Sequence, residues 1–171
     1  METIKTRTAD VAFSRKEFSW KKVSSYLPTM IRKIAKIEYN HVGVIVFNWG
    51  VPMVNEAVGR GVISTPLKDW LIGKSVIIKR FEGDIQEPVF AIEANHFLGH
   101  TPYDFKGLFW HQLVWNLRGK WIGPKGTKNA IQKFYCYEYA AYLWRSIYPT
   151  WVSVVPADFF NLPSKTIYIK D

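Results

Sequence analysis

The run HVGVIVFNWGVPMVNEA, residues 41–57, sets two β-branched blocks on either side of a connection that contains Gly50 and Pro52. This pattern predicts an antiparallel hairpin with strands over His41 to Phe47 and Met53 to Ala57. SVIIKRF, 75–81, reads as a third strand and KTIYIK, near the C-terminus, as a closing one. Elsewhere the spacing is helical. Residues 20–37 predict helix, with Pro28 at the first turn of a second short segment whose Met30, Ile31, Ile34 and Ile37 share a face. Arg32, Lys33 and Lys36 then point to water. PVFAIEANHFLG, 88–99, opens on Pro88 and closes on Gly99, the punctuation of a helix. A further helix is expected over 107–117, followed by a basic loop, WIGPKGTK. The elements together predict an α+β organisation in one domain spanning 1–171, without internal repeats or a separating linker.

A helix starting near Cys136 places Tyr139, Ala140, Leu143, Trp144 and Ile147 at spacings of 3, 4, 7, 8 and 11 from it, one apolar stripe. Cys136 is the only cysteine of the chain. Two readings follow from this position. A cysteine in a core-facing row is often a small buried hydrophobe. A thiol at a helix N-terminus also faces the positive end of the dipole, which favours the thiolate.

A nucleophilic thiol needs a base, and the base needs an orienting group. His41 opens a strand whose other residues are apolar or glycine, and Glu56 lies among apolar neighbours on the second strand of the same hairpin. An unpartnered carboxylate there is costly. Antiparallel pairing can bring Glu56 to the His41 ring, either as a structural bond or as the second half of a triad.

Composition narrows the classes. With 171 residues, 48% apolar and 16% aromatic, the chain holds one ordinary core. Its most apolar region, His41 to Ala57, is interrupted by Asn48, Gly50, Pro52 and Asn55, so no membrane span is expected. The start METIKTRTADVAFSRKEF has no apolar core of a secretory signal, and the expectation is a cytoplasmic protein unless a separate machine exports it. The net charge of +9 is concentrated in Arg15 to Lys36 and Arg118 to Lys133. It favours anionic partners such as a polymer or a membrane surface. Nucleic acid is not expected, because the aromatics fall on apolar helix faces rather than among the lysines. His96 and His100 stand four apart, but Phe97 occupies the place of a metalloprotease glutamate, so no metal is expected. GRG, 59–61, reads as a turn. No cofactor is implied.

ADVAF (9–13), HVGVIV (41–46), NEA with GRGV (55–62), PYDF (102–105), FYCYEY (134–139) and PADF (156–159) follow one another along the chain. In this order the six segments resemble the permuted papain-like cysteine amidases and peptidases of the NlpC superfamily. The resemblance implies a circularly permuted papain-like fold, an antiparallel sheet with helices packed against it and the nucleophile at a helix N-terminus. It implies Cys136 as nucleophile, His41 as base and Glu56 as the residue orienting the imidazole, with the Cys136 backbone N–H facing the oxyanion. Tyr103, Asp104 and Tyr135 would be substrate-binding residues. Members cleave amide bonds in cell-wall peptides. Relatives such as lecithin retinol acyltransferase move acyl groups, so a lipid-directed acyltransferase or thioesterase is the alternative, and a non-catalytic binder of anionic ligands is a third. Two positions depart from the pattern: Ala9 replaces a glycine, and Tyr137 replaces the serine after the nucleophile.

Overall fold

The computed structural model describes residues 4–15, 38–108 and 132–171. The helices expected over 20–37 and beyond 108, the loop 121–128 and most of the two basic stretches lie outside them.

β-Branched blocks along the chain pair into one six-stranded sheet. Its strands are β1 (Val11–Arg15), β2 (His41–Asn48), β3 (Val51–Val58), β4 (Gly61–Pro66), β5 (Ser75–Phe81) and β6 (Ser164–Lys170). The order is β4-β3-β2-β1-β5-β6, and every neighbouring pair is antiparallel. Alternation along the strands separates two faces. Val11, Phe13, Val42, Val44, Val46, Ala57, Ile77 and Phe81 enter the larger core, while Ala12, Ile45, Val54, Val76 and Ile78 enter a smaller one.

The larger face is covered by α2 (Glu87–His96) and by α4 (Cys136–Leu143), which follows the single turn α3 (Phe105–Gly107). α5 (Pro156–Phe160) closes this side, with Phe159 in ring contact with Phe13, Phe81 and Tyr148. The smaller face is covered by α1 (Leu67–Trp70), whose Leu67 and Trp70 lie on Ile45, Val54 and Val76. No helix among the described residues is long and apolar enough to cross a membrane.

The hairpin, the third strand and the closing strand form where the pattern predicts them, each within a few residues. β4 is an addition: GVISTP pairs with Met53 to Val58 of β3 despite its serine, threonine and proline. The circularly permuted papain-like α+β fold expected from the resemblance is corrected. Strands dominate the described residues, and the helices on them are short, none longer than the 10 residues of α2. Motif order does not carry how many strands pair or how much helix lies against them.

Ala9, in place of the glycine, has φ +74° and so sits in left-handed backbone that favours a residue without Cβ. Its N–H and the Asp10 carbonyl both bond to Ile45, which starts β1 beside β2.

Candidate active site

Cys136 is the first residue of α4, and Tyr135, with extended backbone at φ −94° and ψ 169°, is its N-cap. The thiol is thus at the helix N-terminus, buried, 4% exposed. His41 is the first residue of β2 and pairs with Ser14 of β1. Two contacts bring these ends together. α4 packs across β2 and β3, and the Tyr137 hydroxyl donates to the Tyr39 carbonyl at 2.7 Å, two residues before His41. Tyr137 therefore tethers the helix that begins at Cys136 to the chain leading into His41. Its ring lies in the core against Phe13 and Phe159.

The His41 ring has two partners. Its Nε2 bonds Glu56 Oε2 at 2.5 Å, and the ring also hydrogen-bonds the Cys136 side chain. Glu56 Oε2 accepts a second bond, 2.8 Å from the Trp70 indole Nε1. Gly43 makes room for this arrangement. A Cβ there would stand 2.5 Å from Val54 Cγ1 and 3.3 Å from Glu56 Cβ, so a side chain at position 43 collides with the strand that carries the carboxylate. Trp70 and Gly43 are parts of the site that the sequence reading did not assign.

The electrostatics follow from these contacts. Burial pulls the His41 pKa down, but hydrogen bonds to Cys136 and Glu56 and the negative charge on both outweigh it and raise it to about 10. Burial raises the Glu56 pKa, yet the His41 bond and charge, the Trp70 N–H and Lys74 bring it below the usual carboxylate value. His41 is accordingly an imidazolium at neutral pH, between a carboxylate and the sulfur. That charge pattern is the one a cysteine nucleophile needs.

The three expected substrate-binding residues separate. Tyr103 is at the site: its hydroxyl bonds the Cys136 side chain and meets the Cys136 backbone N–H. Burial, followed by the charges at Cys136 and Asp104, lifts its pKa well above the phenol range. Asp104 instead caps α3, its Oδ1 accepting the Gly107 N–H at 2.9 Å. The Asp104 N–H bonds the Phe134 carbonyl, which fastens this segment to the approach to α4. Tyr135 is fully buried in the larger core, so its ring does not line a cleft.

Glu138, two residues after the thiol, is 2% exposed. The Tyr135 backbone N–H bonds its carboxyl, a reach from the third helical residue to the N-cap, and its Oε2 is buried without a hydrogen-bond partner. Burial, reinforced by the charge of Asp104, raises its pKa to about 9. It is a neutral acid at neutral pH, in the first turn of α4. The sequence reading gave Glu138 no role, and its burial is what reveals its charge state. His96 and His100 stand with ring centroids 5.6 Å apart, and His100 Nδ1 bonds the Leu98 carbonyl.

No family model matches the chain. Its sequence is 30% identical over 142 residues to the uncharacterized protein YiiX of Escherichia coli strain K12, covering 75% of this chain and 65% of YiiX. The chain thus matches just under two thirds of that relative's length. A crystal structure described as metalloprotein yiiX from Escherichia coli O157:H7, DUF1105, aligns with a TM-score of 0.57 at 23% identity, over 96% of this chain and 97% of that one. The sheet-dominated fold described above is the fold this chain shares with YiiX.

Proposed function

We propose that the protein is a cysteine hydrolase that cleaves an amide bond of a peptide or similar small substrate through a thioester on Cys136. The hydrogen-bonded series Cys136–His41–Glu56–Trp70 carries this reading. A buried thiol serving only as core filler needs neither an imidazolium beside it nor a carboxylate and an indole behind the imidazolium.

The steps use the residues in hand. The Cys136 thiolate adds to the substrate carbonyl, forming a C–S bond and a tetrahedral oxyanion. The Cys136 N–H and the Tyr103 hydroxyl lie beside the sulfur and donate to that oxyanion. Collapse breaks the C–N bond as His41 passes its proton to the departing amine. Water then attacks the thioester, giving a proton to the neutral ring, and release of the acid restores the thiolate and imidazolium. Glu56 holds the ring in place through both events and stabilises its charge.

One observation favours an acyl-transfer variant of this chemistry. Phe105, 59% exposed, packs edge-on against Tyr103 with centroids 4.8 Å apart, which places exposed apolar surface suited to an acyl chain against a residue that contacts Cys136. An alcohol or amine acceptor then replaces water in the second half.

The description of YiiX as a metalloprotein suggests a metal for this chain too, but the described residues do not fit one. Glu56 Oε2 is already shared by His41 and Trp70, and no three His, Cys, Asp or Glu side chains among the described residues converge to hold an ion. No step is routed through a metal.

Intact-mass analysis during incubation with small peptide amides and acyl esters tests the proposal. An acyl adduct that forms on the parent and is absent from Cys136→Ser and His41→Ala is expected. Hydrolysis that survives in Cys136→Ser would refute it.

A further inference from the structure

The β2–β3 hairpin ends in a feature that the fold does not need. Trp49 is 102% exposed, and Phe47 and Val51 on either side of it are 37% and 49% exposed. Trp49 and Gly50 form the two-residue turn, with φ values of +54° and +79°. Asparagine followed by glycine is the usual solution for such a turn, because both residues take left-handed backbone. A bulky residue at positive φ is an outlier, so this tryptophan is strained in its backbone and buries nothing in return.

The tip is held rigidly despite that strain. The Phe47 N–H donates to Thr8 Oγ1 on one side. On the other, the Asn95 amide donates to Asn48 Oδ1 at 2.9 Å and accepts from Asn55 Nδ2 at 2.9 Å, tying the base of the turn to α2. An aromatic side chain is thus presented to solvent on a fixed support.

We infer that this hairpin tip is a lipid-contacting element that seats the protein on a membrane surface. Three features select a bilayer as occupant. Tryptophan has an apolar body and a polar N–H, which suits the boundary between headgroups and acyl chains. Three side chains on a convex turn offer roughly 400 Å² at most, about half of what one partner contributes to a stable protein interface. A fluid surface can close around such a tip, whereas a second copy or another folded protein needs a larger matching face. The site is also separate from the chemistry: His41 is seven residues along β2 from Asn48, about 23 Å away. Seating the tip therefore leaves the Cys136 end of the sheet facing away from the membrane, open to substrates from solution.

Flotation of the full chain with phosphatidylcholine vesicles in about 0.5 M salt tests this, since that salt screens the excess basic charge. Trp49→Gly is the informative variant, because glycine suits the φ of +54° and keeps the hairpin. The parent is expected to float with the vesicles, and Trp49→Gly to partition less by on the order of tenfold, with the melting temperature not lowered and the Cys136 alkylation rate unchanged. Quenching of parent tryptophan fluorescence by brominated lipid is expected to fall in Trp49→Phe. Equal flotation of parent and Trp49→Gly, or none of either, would overturn the inference. So would a Trp49-dependent dimer in sedimentation, which would assign the tip to a second copy.

Discussion

Replacing Glu138 by glutamine tests how the helix that begins at Cys136 is built. The carboxyl lies under α4 with one oxygen accepting the Tyr135 N–H and the other without a partner, and its pKa is about 9. In the unfolded chain it titrates near 4.5. The sign follows from the direction: a carboxyl raised on folding keeps its proton in the native state while the unfolded chain releases it, so stability falls as pH rises from 4.5 to 9. With about 1.4 kcal/mol for each pKa unit, the penalty is about 1 kcal/mol at pH 5 and about 3.5 kcal/mol at pH 7. Glutamine keeps the oxygen that accepts from Tyr135 and has no proton to lose. Urea unfolding of parent and Glu138→Gln at both pH values isolates the effect, because fixed differences in packing cancel between them. The variant is expected to gain about 2–3 kcal/mol on the parent in going from pH 5 to pH 7. Parallel pH dependences of the two proteins would refute the assignment of a buried neutral acid.

Four further outcomes are expected. Trp70→Phe removes the indole donor to Glu56, and unfolding is expected to show a loss of about 1–3 kcal/mol, with weaker alkylation of Cys136. Gly43→Ala drives a methyl into Val54 and against Glu56; a loss of about 1–3 kcal/mol and lowered activity in the intact-mass assay are expected. Ala9→Gly relaxes a residue at φ +74° and is expected to stabilise by roughly 0.5–1 kcal/mol in the same unfolding experiment. Stability from the His41 pairing is fully present below about pH 6.5 and lost as pH rises towards about 10, because folding raises this pKa; Glu56→Gln is expected to flatten that limb of the stability profile.

The three side chains that the structure brings together were legible because each stands out from its surroundings. Cys136 begins an apolar stripe, His41 opens an apolar strand, and Glu56 interrupts one. The supports were not legible, since they depend on contacts between distant segments. Trp70 reads as one more apolar residue until α1 folds over the smaller face, and Tyr137 reads as a departure from a motif until its hydroxyl meets Tyr39. Tyr135 was expected at the substrate, but its ring is buried in the larger core, which the sequence spacing does not show. β4 escaped notice because Ser64, Thr65 and Pro66 weaken its apolar pattern, although pairing with β3 satisfies its backbone. The fold class was misjudged for a related reason. Local periodicity locates strands and helices, while the extent of the sheet depends on which strands find each other.

The most direct measurement uses the single thiol: the rate of iodoacetamide alkylation of Cys136 from pH 5 to 11, in the parent and in His41→Ala. At neutral pH the parent is expected to react faster than His41→Ala, and the difference to shrink as His41 loses its proton near pH 10. The same ordinary profile in both proteins would contradict the coupled thiol–imidazole site.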